Sequence, residues 1–508
     1  MDSSLLKGTE RITPSLSFLR RPLAAYGPAF LLSMGAAAIA IFLGLFFSAQ
    51  AGLFAIAAMW VAVGAWRYPK EAFLLLLFVA PLLPILKATQ VLSVVTPLKD
   101  VVIGALLLKT TILPLVQKRD PYRRNVLLFT LVLFTLWALV GFLRADNTVL
   151  GLLRLRDLFL YIPLLWIARA VIASYADLRL LLRIVVGGGA IILLLVGLQF
   201  LAWPDGMVLR YDPVLATWIP RVSGTLAHPN LLASYLLFLI PLVSSLFLVR
   251  SFSLRARSLF AVCTIASLLI LFFTYSRSGW IAVVGALGAL VGLVLVRRRR
   301  LVLPSVALAA GVFLLLVTLV PGAKTFLRTA IDPTYASNAE RLEILAGVVA
   351  TASPTSAIVG EGLGDVVSAT MRSVSISLGD IAAADVRHVQ IAKARTFVDN
   401  AVLKTWLELG VVGLGLIFWI TVRALGMSWR ESRMGSLPEG RALARALFAT
   451  TVGLVVLSFF LDVPEIFPVA LFWWAFVGVV QGLPYVEELG MRNQELGAGG
   501  VRTEPSAV

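Results

Sequence analysis

Three short stretches carry polar residues where the surrounding chain leaves little room for them. RVSGTLAHPN places Arg221, His228 and Asn230 ahead of a long apolar run. TYSRSGW sets Arg277 between Ser276 and Ser278 in a short connection between two such runs. TFVDNAVLKTWLELG opens a third run with Asp399 and Asn400, and puts Lys404 and Glu408 one and two turns further in. Each residue type has definite chemistry. An arginine is a planar fork of donors that stays charged and grips phosphate oxygens in pairs. An aspartate can take a proton from a hydroxyl or cap the free N–H groups of a helix. A charge costs about 2.5–3.5 kcal/mol at the centre of a membrane helix and less near its ends. Bland readings stand beside these: Arg277 snorkelling to lipid phosphates, His228 and Asn230 as capping and interfacial groups, Asp399 as an N-cap, and Lys404 with Glu408 as an i, i+4 pair.

The elements that must hold these residues are membrane helices. The chain has 508 residues, 59% hydrophobic and 14% charged, with a mean hydropathy of +0.94. Its apolar runs are about 17–22 residues long, the length that crosses a hydrocarbon core, and they lack the period-two alternation of a β-barrel. The expected fold is an all-α polytopic transmembrane bundle of about 12–14 spans with one long external loop. The spans fall near 29–48, 51–66, 71–87, 97–116, 125–143, 156–173, 184–203, 229–249, 257–274, 279–296, 301–320, 401–422, 445–462 and 466–483. The single cysteine, Cys263, rules out a disulfide within one chain, and two histidines form no cluster at metal-ligand spacing. Arg11, Arg20 and Arg21 precede a run long enough to span, so the first segment reads as retained rather than cleaved.

The net charge of +17 suggests nucleic acid at first sight. In a membrane protein, however, excess Lys and Arg mark cytoplasmic loops. Placing both termini inside gathers Arg20–Arg21, Arg67 with Lys70, Lys118 to Arg124, Arg179 with Arg183, Arg250 to Arg257, Arg297 to Arg300 and Arg430 to Arg445 on the cytoplasmic face. That orientation puts Arg221, Arg277 and Asp399 together outside, beside the longest loop. The domains expected are N-terminal membrane helices over 1–320, an external loop with short helices over 321–400, C-terminal helices over 401–483, and a disordered cytoplasmic tail over 484–508. Within the loop, 338–352 has helical apolar spacing and GEGLGDV at 360–366 reads as a turn.

RVSGTLAHPNLLASYLLFLIPL followed by TYSRSGW resembles the central signature of the O-antigen ligase and polymerase-like family of membrane glycosyltransferases. ERLEILAGVVATASPTSAIVGEGLG is similar to the family's arginine-bearing loop helix and its Gly-x-Gly turn, with Arg341 as the arginine. The family then has a His-Asn pair, nine residues and Gly-x-x-Gly; here Asp399-Asn400 precedes nine residues, then Gly410 and Gly413. The likeness runs from Arg221 to Gly415. It implies a fold of GT-C type and a transfer on the outer face of the cytoplasmic (inner) membrane. The donor would be a glycan on undecaprenyl diphosphate, the acceptor a glycan or lipid-linked hydroxyl, with no metal, no other cofactor and no nucleic acid.

One departure stands out: Asp399 occupies the place of the family's catalytic His. A leaving diphosphate needs cations where its charge develops, which assigns Arg221, Arg277 and Arg341 to it. The acceptor hydroxyl needs a base, for which Asp399 is chemically competent. His228, Asn230, Ser276 and Asn400 would support. The rival class is a transporter or flippase, or a non-catalytic binder, of an anionic glycan lipid. Internal repeats and polar groups near the bilayer midplane would favour the transporter, and neither is read here.

Overall fold

The computed structural model describes residues 49–88, 97–117, 125–203, 207–212, 217–295, 353–364, 366–367, 396–397, 400–462 and 467–499, with single positions between 311 and 346. The chain divides into two units, Met1–Gly64 and Ala65–Val508. The described part of the first is the start of helix α1 (Ala49–Arg67). Everything below concerns the second unit.

Its helices follow in order: α2 (Pro69–Val79), α3 (Leu83–Ala88), α4 (Leu98–Leu107), α5 (Leu113–Val116), α6 (Leu128–Leu143), α7 (Thr148–Phe159), α8 (Leu164–Val171), α9 (Tyr175–Ala202), α10 (Pro229–Phe247), α11 (Leu254–Phe273), α12 (Arg277–Leu295), α13 (Pro354–Val359), α14 (Ala401–Met434), α15 (Pro438–Ser458) and α16 (Val469–Gly499). Two small two-stranded sheets complete the described residues. β1 (Val208–Asp212) and β2 (Thr217–Arg221) are antiparallel, with Val208 opposite Arg221. β3 (Val366–Val367) and β4 (Thr396–Phe397) are parallel.

The fold is the expected all-α polytopic bundle. Eight helices among the described residues are long and apolar enough to cross a membrane, and two shorter apolar ones cover 52–67 and 128–143. The spans expected at 29–48 and 301–320 lie outside the described residues, apart from single positions in the second. Two others differ from expectation. The run 97–116 is broken into α4, a five-residue π-type turn at Leu108–Ile112, and α5; Pro114 lacks the N–H that a continuous helix needs there. The run expected at 156–173 is two helices, α7 and α8, separated by a turn ahead of Pro163. At the other end of the chain, α16 runs to Gly499, beyond the expected boundary at 484, since EELGMRNQEL is made largely of good helix formers.

α10 is the centre of the bundle, with 83% of its span buried, whereas α11 and α14 bury 28% of theirs. Lipid tails are as apolar as leucine, so the helices gain little from hiding leucine and depend on close packing. Small residues provide it. A Cβ at Gly279 would lie 2.6 Å from that of Ala233, and one at Gly453 would lie 2.5 Å from Leu237 and 2.8 Å from the Ala282 carbonyl oxygen. These two glycines let α12 and α15 press against α10.

Candidate functional site

The first part of the site is the corner where β2, α10, α11 and α12 meet. Arg221 is buried, at 7% exposure. Its Nε donates to the Thr274 carbonyl at 2.8 Å and an Nη to Asn230 Oδ1 at 3.1 Å. The backbone beside it is also held, since Val222 N donates to the Phe273 carbonyl at 3.2 Å. One guanidinium thus ties the end of α11 to the first turn of α10. Pro229 supplies N1 of α10, where a missing N–H costs nothing, and His228 is the N-cap: its Nδ1 accepts from Asn230 N at 3.2 Å. That bond requires the neutral ring. Burial, followed by repulsion from Arg221, pushes the His228 pKa down to about 4.

Ser276 caps α12 in the same corner. Its Oγ accepts from Gly279 N at 3.3 Å, its own N–H donates to Thr274 Oγ1 at 3.2 Å, and Trp280 Nε1 donates to the Leu271 carbonyl at 2.9 Å. Arg277 begins α12 and is half-buried, three residues after the carbonyl that Arg221 holds. Ala227 (φ 61°) and Tyr275 (φ 49°) take left-handed conformations without being glycine, which costs roughly 1–2 kcal/mol each. Both lie in the turns that present the polar motifs, where stored strain is commonly found.

The second part is the entrance of α14. Asn400, not Asp399, is the N-cap: its Oδ1 accepts from Leu403 N at 2.9 Å, and its Nδ2 donates to the Phe459 carbonyl at 2.8 Å, at the end of α15. The i, i+4 pairing expected of Lys404 and Glu408 is replaced by two longer-range pairs. Lys404 Nζ meets Asp462 Oδ2 at 2.7 Å, and Glu408 Oε2 takes Arg154 Nε at 2.7 Å, all four side chains at 5% exposure or less. Removing such ions from water demands a close partner for each, and Asp462 and Arg154 are brought within contact by the fold.

Both parts lie at one end of the bundle. Gln199, near the end of α9, accepts from Ser223 N and Gly224 N beside Arg221. At the start of α9, Tyr175 and Arg179 bond Glu439 at the start of α15. α9 and α15 therefore run in the same direction, and the end of α15, where Asn400 and Lys404 are tied, faces the same side as Arg221. The structure brings Arg221, Asn230, His228, Ser276 and Arg277 into one corner and sets Asn400 on the same side. Asp399 and Arg341 lie outside the described residues.

Arg154 and Asp462 were not legible as partners. The signal available was Glu408 itself, an acid inside an apolar run that demands a cation, but Lys404 stood nearer in the sequence.

Long apolar helices with a strained, arginine-bearing corner at one end define a multi-pass membrane protein with a polar site at a bundle end. Residues 259–418 match the model of the O-antigen ligase family, so the chain carries an O-antigen ligase-like segment, as its motifs implied. The match takes in Thr274–Trp280, the glycine turn at 360–364 and the entrance of α14, and it suggests a membrane glycosyltransferase-type function. No curated protein matches the chain.

Proposed function

We propose that the protein transfers a glycan from a polyprenyl-diphosphate donor to an acceptor hydroxyl, as an O-antigen ligase or surface-polysaccharide polymerase does, at the outer face of a cytoplasmic membrane with both termini inside. The acceptor oxygen attacks the anomeric carbon while the bond from that carbon to the diphosphate oxygen breaks. The hydroxyl proton passes to the Asp399 carboxylate, and polyprenyl diphosphate leaves carrying the negative charge. Arg221, Arg277 and Arg341 hold that charge, with no metal invoked. The lipid tail stays among the apolar helices.

The observation that carries this reading is the Arg221 corner. A guanidinium is fixed between Thr274 and Asn230, one turn of chain from Arg277, on the side of the bundle where Asn400 opens α14. Preorganised cations of this kind stabilise a leaving group most when they need not move during the reaction. Asn400, the residue after Asp399 in sequence, fills the N-cap position of α14.

The test is purified protein with a lipid-diphosphate oligosaccharide and a panel of glycan acceptors, comparing the native form with Asp399→Ala and Arg277→Ala. The expected result is a glycosidic product lost by about 10²-fold or more in each variant. Transfer untouched by either change removes the residue assignment. Movement of the lipid across vesicles with no covalent product would show a transporter instead.

A further inference from the structure

Glu408 is absorbed by neither the arginine corner nor the α14 cap, yet it is fully buried and engaged on both oxygens. Oε2 takes Arg154 Nε at 2.7 Å, and Oε1 accepts from Gly364 N at 3.3 Å. Gly364 ends a turn with three left-handed glycines, Gly360 (φ 88°), Gly362 (φ 136°) and Gly364 (φ 90°). The turn is wedged between helices. A Cβ at Gly360 would lie 2.3 Å from the Glu408 carbonyl oxygen, and one at Gly364 would lie 2.4 Å from the Leu150 carbonyl carbon. Arg144 donates to the Gly360 carbonyl at 3.0 Å, Leu363 N to the Gly141 carbonyl at 3.0 Å, and Glu361 N to the Leu407 carbonyl at 2.7 Å.

Two residues past Gly364, β3 pairs with β4. Phe397 ends β4, and Asn400 caps α14. In the sequence, Asp399 stands between these two residues. We infer that Glu408 is a positioning residue for the proposed transfer: it pins the glycine turn to α14 and so sets, through β3 and β4, the path of the chain that carries Asp399. This rests on the reading of Asp399 as base. Arg154 orients the carboxylate through its 2.7 Å contact, while the acceptor lone pair for Gly364 is what the positioning requires.

That distinction can be measured, because a buried ion pair can be replaced without leaving a lone charge. The pair Arg154→Gln with Glu408→Gln removes both charges and keeps an amide oxygen to accept from Gly364. The pair Arg154→Met with Glu408→Met fills similar volume and removes the acceptor. Full-length proteins in vesicles are compared by transfer kinetics on the lipid-diphosphate oligosaccharide and by amide hydrogen exchange. The Gln pair is expected to keep kcat within about threefold of native, and the Met pair to lose about 10–100-fold in kcat with little change in donor KM. Exchange should quicken over 360–367 and 396–400 in the Met pair alone and stay unchanged over Pro229–Phe247. Equal kcat and equal exchange in the two pairs would overturn the inference, since a purely structural ion pair treats them alike. Absence of any glycosyl product from native protein would overturn the transferase reading instead; the exchange over 396–400 would still decide whether Glu408 sets that segment.

Discussion

At the end of the bundle where α9 and α15 begin, cations reach in from solvent to acids. Arg179, 43% exposed, bonds the buried Glu439, and Lys70, 40% exposed, pairs with Asp177. At the opposite end both members of each α14 pair are sunk: Lys404 with Asp462 at 1% each, and Arg154 with Glu408 at 5% and 0%. In the first arrangement the cation keeps part of its hydration even where its acid, as with Glu439, is fully buried. The second is costlier to assemble, because both ions lose their water and depend on each other. The buried pairs hold the helix next to Asp399 and Asn400, whereas the half-exposed ones hold helix starts remote from the arginine corner. The two ends thus differ in how deeply their cations are buried.

The largest expected difference between the ends comes from single truncations. Asp462→Ala leaves the Lys404 ammonium buried without that carboxylate and should cost about 3–5 kcal/mol, whereas Lys70→Ala, on a half-exposed cation whose partner Asp177 keeps its Ser174 hydrogen bonds, should cost about 1 kcal/mol or less. Thermal unfolding in detergent, followed by tryptophan fluorescence, measures both; equal losses would break the comparison. Gly410→Ala comes next. Gly410 has φ 66° inside α14, and a Cβ there would lie 2.1 Å from the Ile358 carbonyl oxygen. The substitution should displace α13 from α14 and expose the chain near 353–364 to limited proteolysis, with transfer falling about 10-fold or more.

A third effect is one of pH. His228 is neutral when folded, with its pKa lowered to about 4, so the unfolded chain binds the proton more readily. Its contribution to stability is full above about pH 6.5 and is lost as pH falls from there towards 4. His228→Asn keeps a capping oxygen and should flatten that part of the stability–pH curve. An unchanged slope would show that other groups govern it.

Much of the frame was readable from residue order. Apolar run length marked the membrane helices, Pro229 after His228 marked the start of α10, and TYSRSGW marked a short connection between spans that is present. Short-range chemistry is legible because capping and helix initiation depend on neighbours. The ion pairs were not, because Arg154 and Glu408 stand 254 residues apart and Lys404 and Asp462 stand 58 apart; nothing in local spacing connects them. Arg154 was further concealed because only the end of α7, a helix of twelve residues, was read with the apolar stretch after it as a span at 156–173, which left Arg154 just outside. The cap at Asn400 rather than Asp399 turns on a one-residue shift in where helical dihedrals begin, finer than composition can resolve.

The interruption of α14 at Gly410 has a mechanical consequence. Carbonyls that an unbroken helix would use internally are taken elsewhere: Leu407 accepts from Glu361 and Leu409 from the Trp137 indole at 2.8 Å. The first nine residues of α14 are therefore moored sideways to α6 and the glycine turn, with a non-helical joint at Gly410 between them and the rest of the rod. Bending or tilting of the long segment below, as a bilayer changes thickness, has a joint at which to stop before it reaches Asn400.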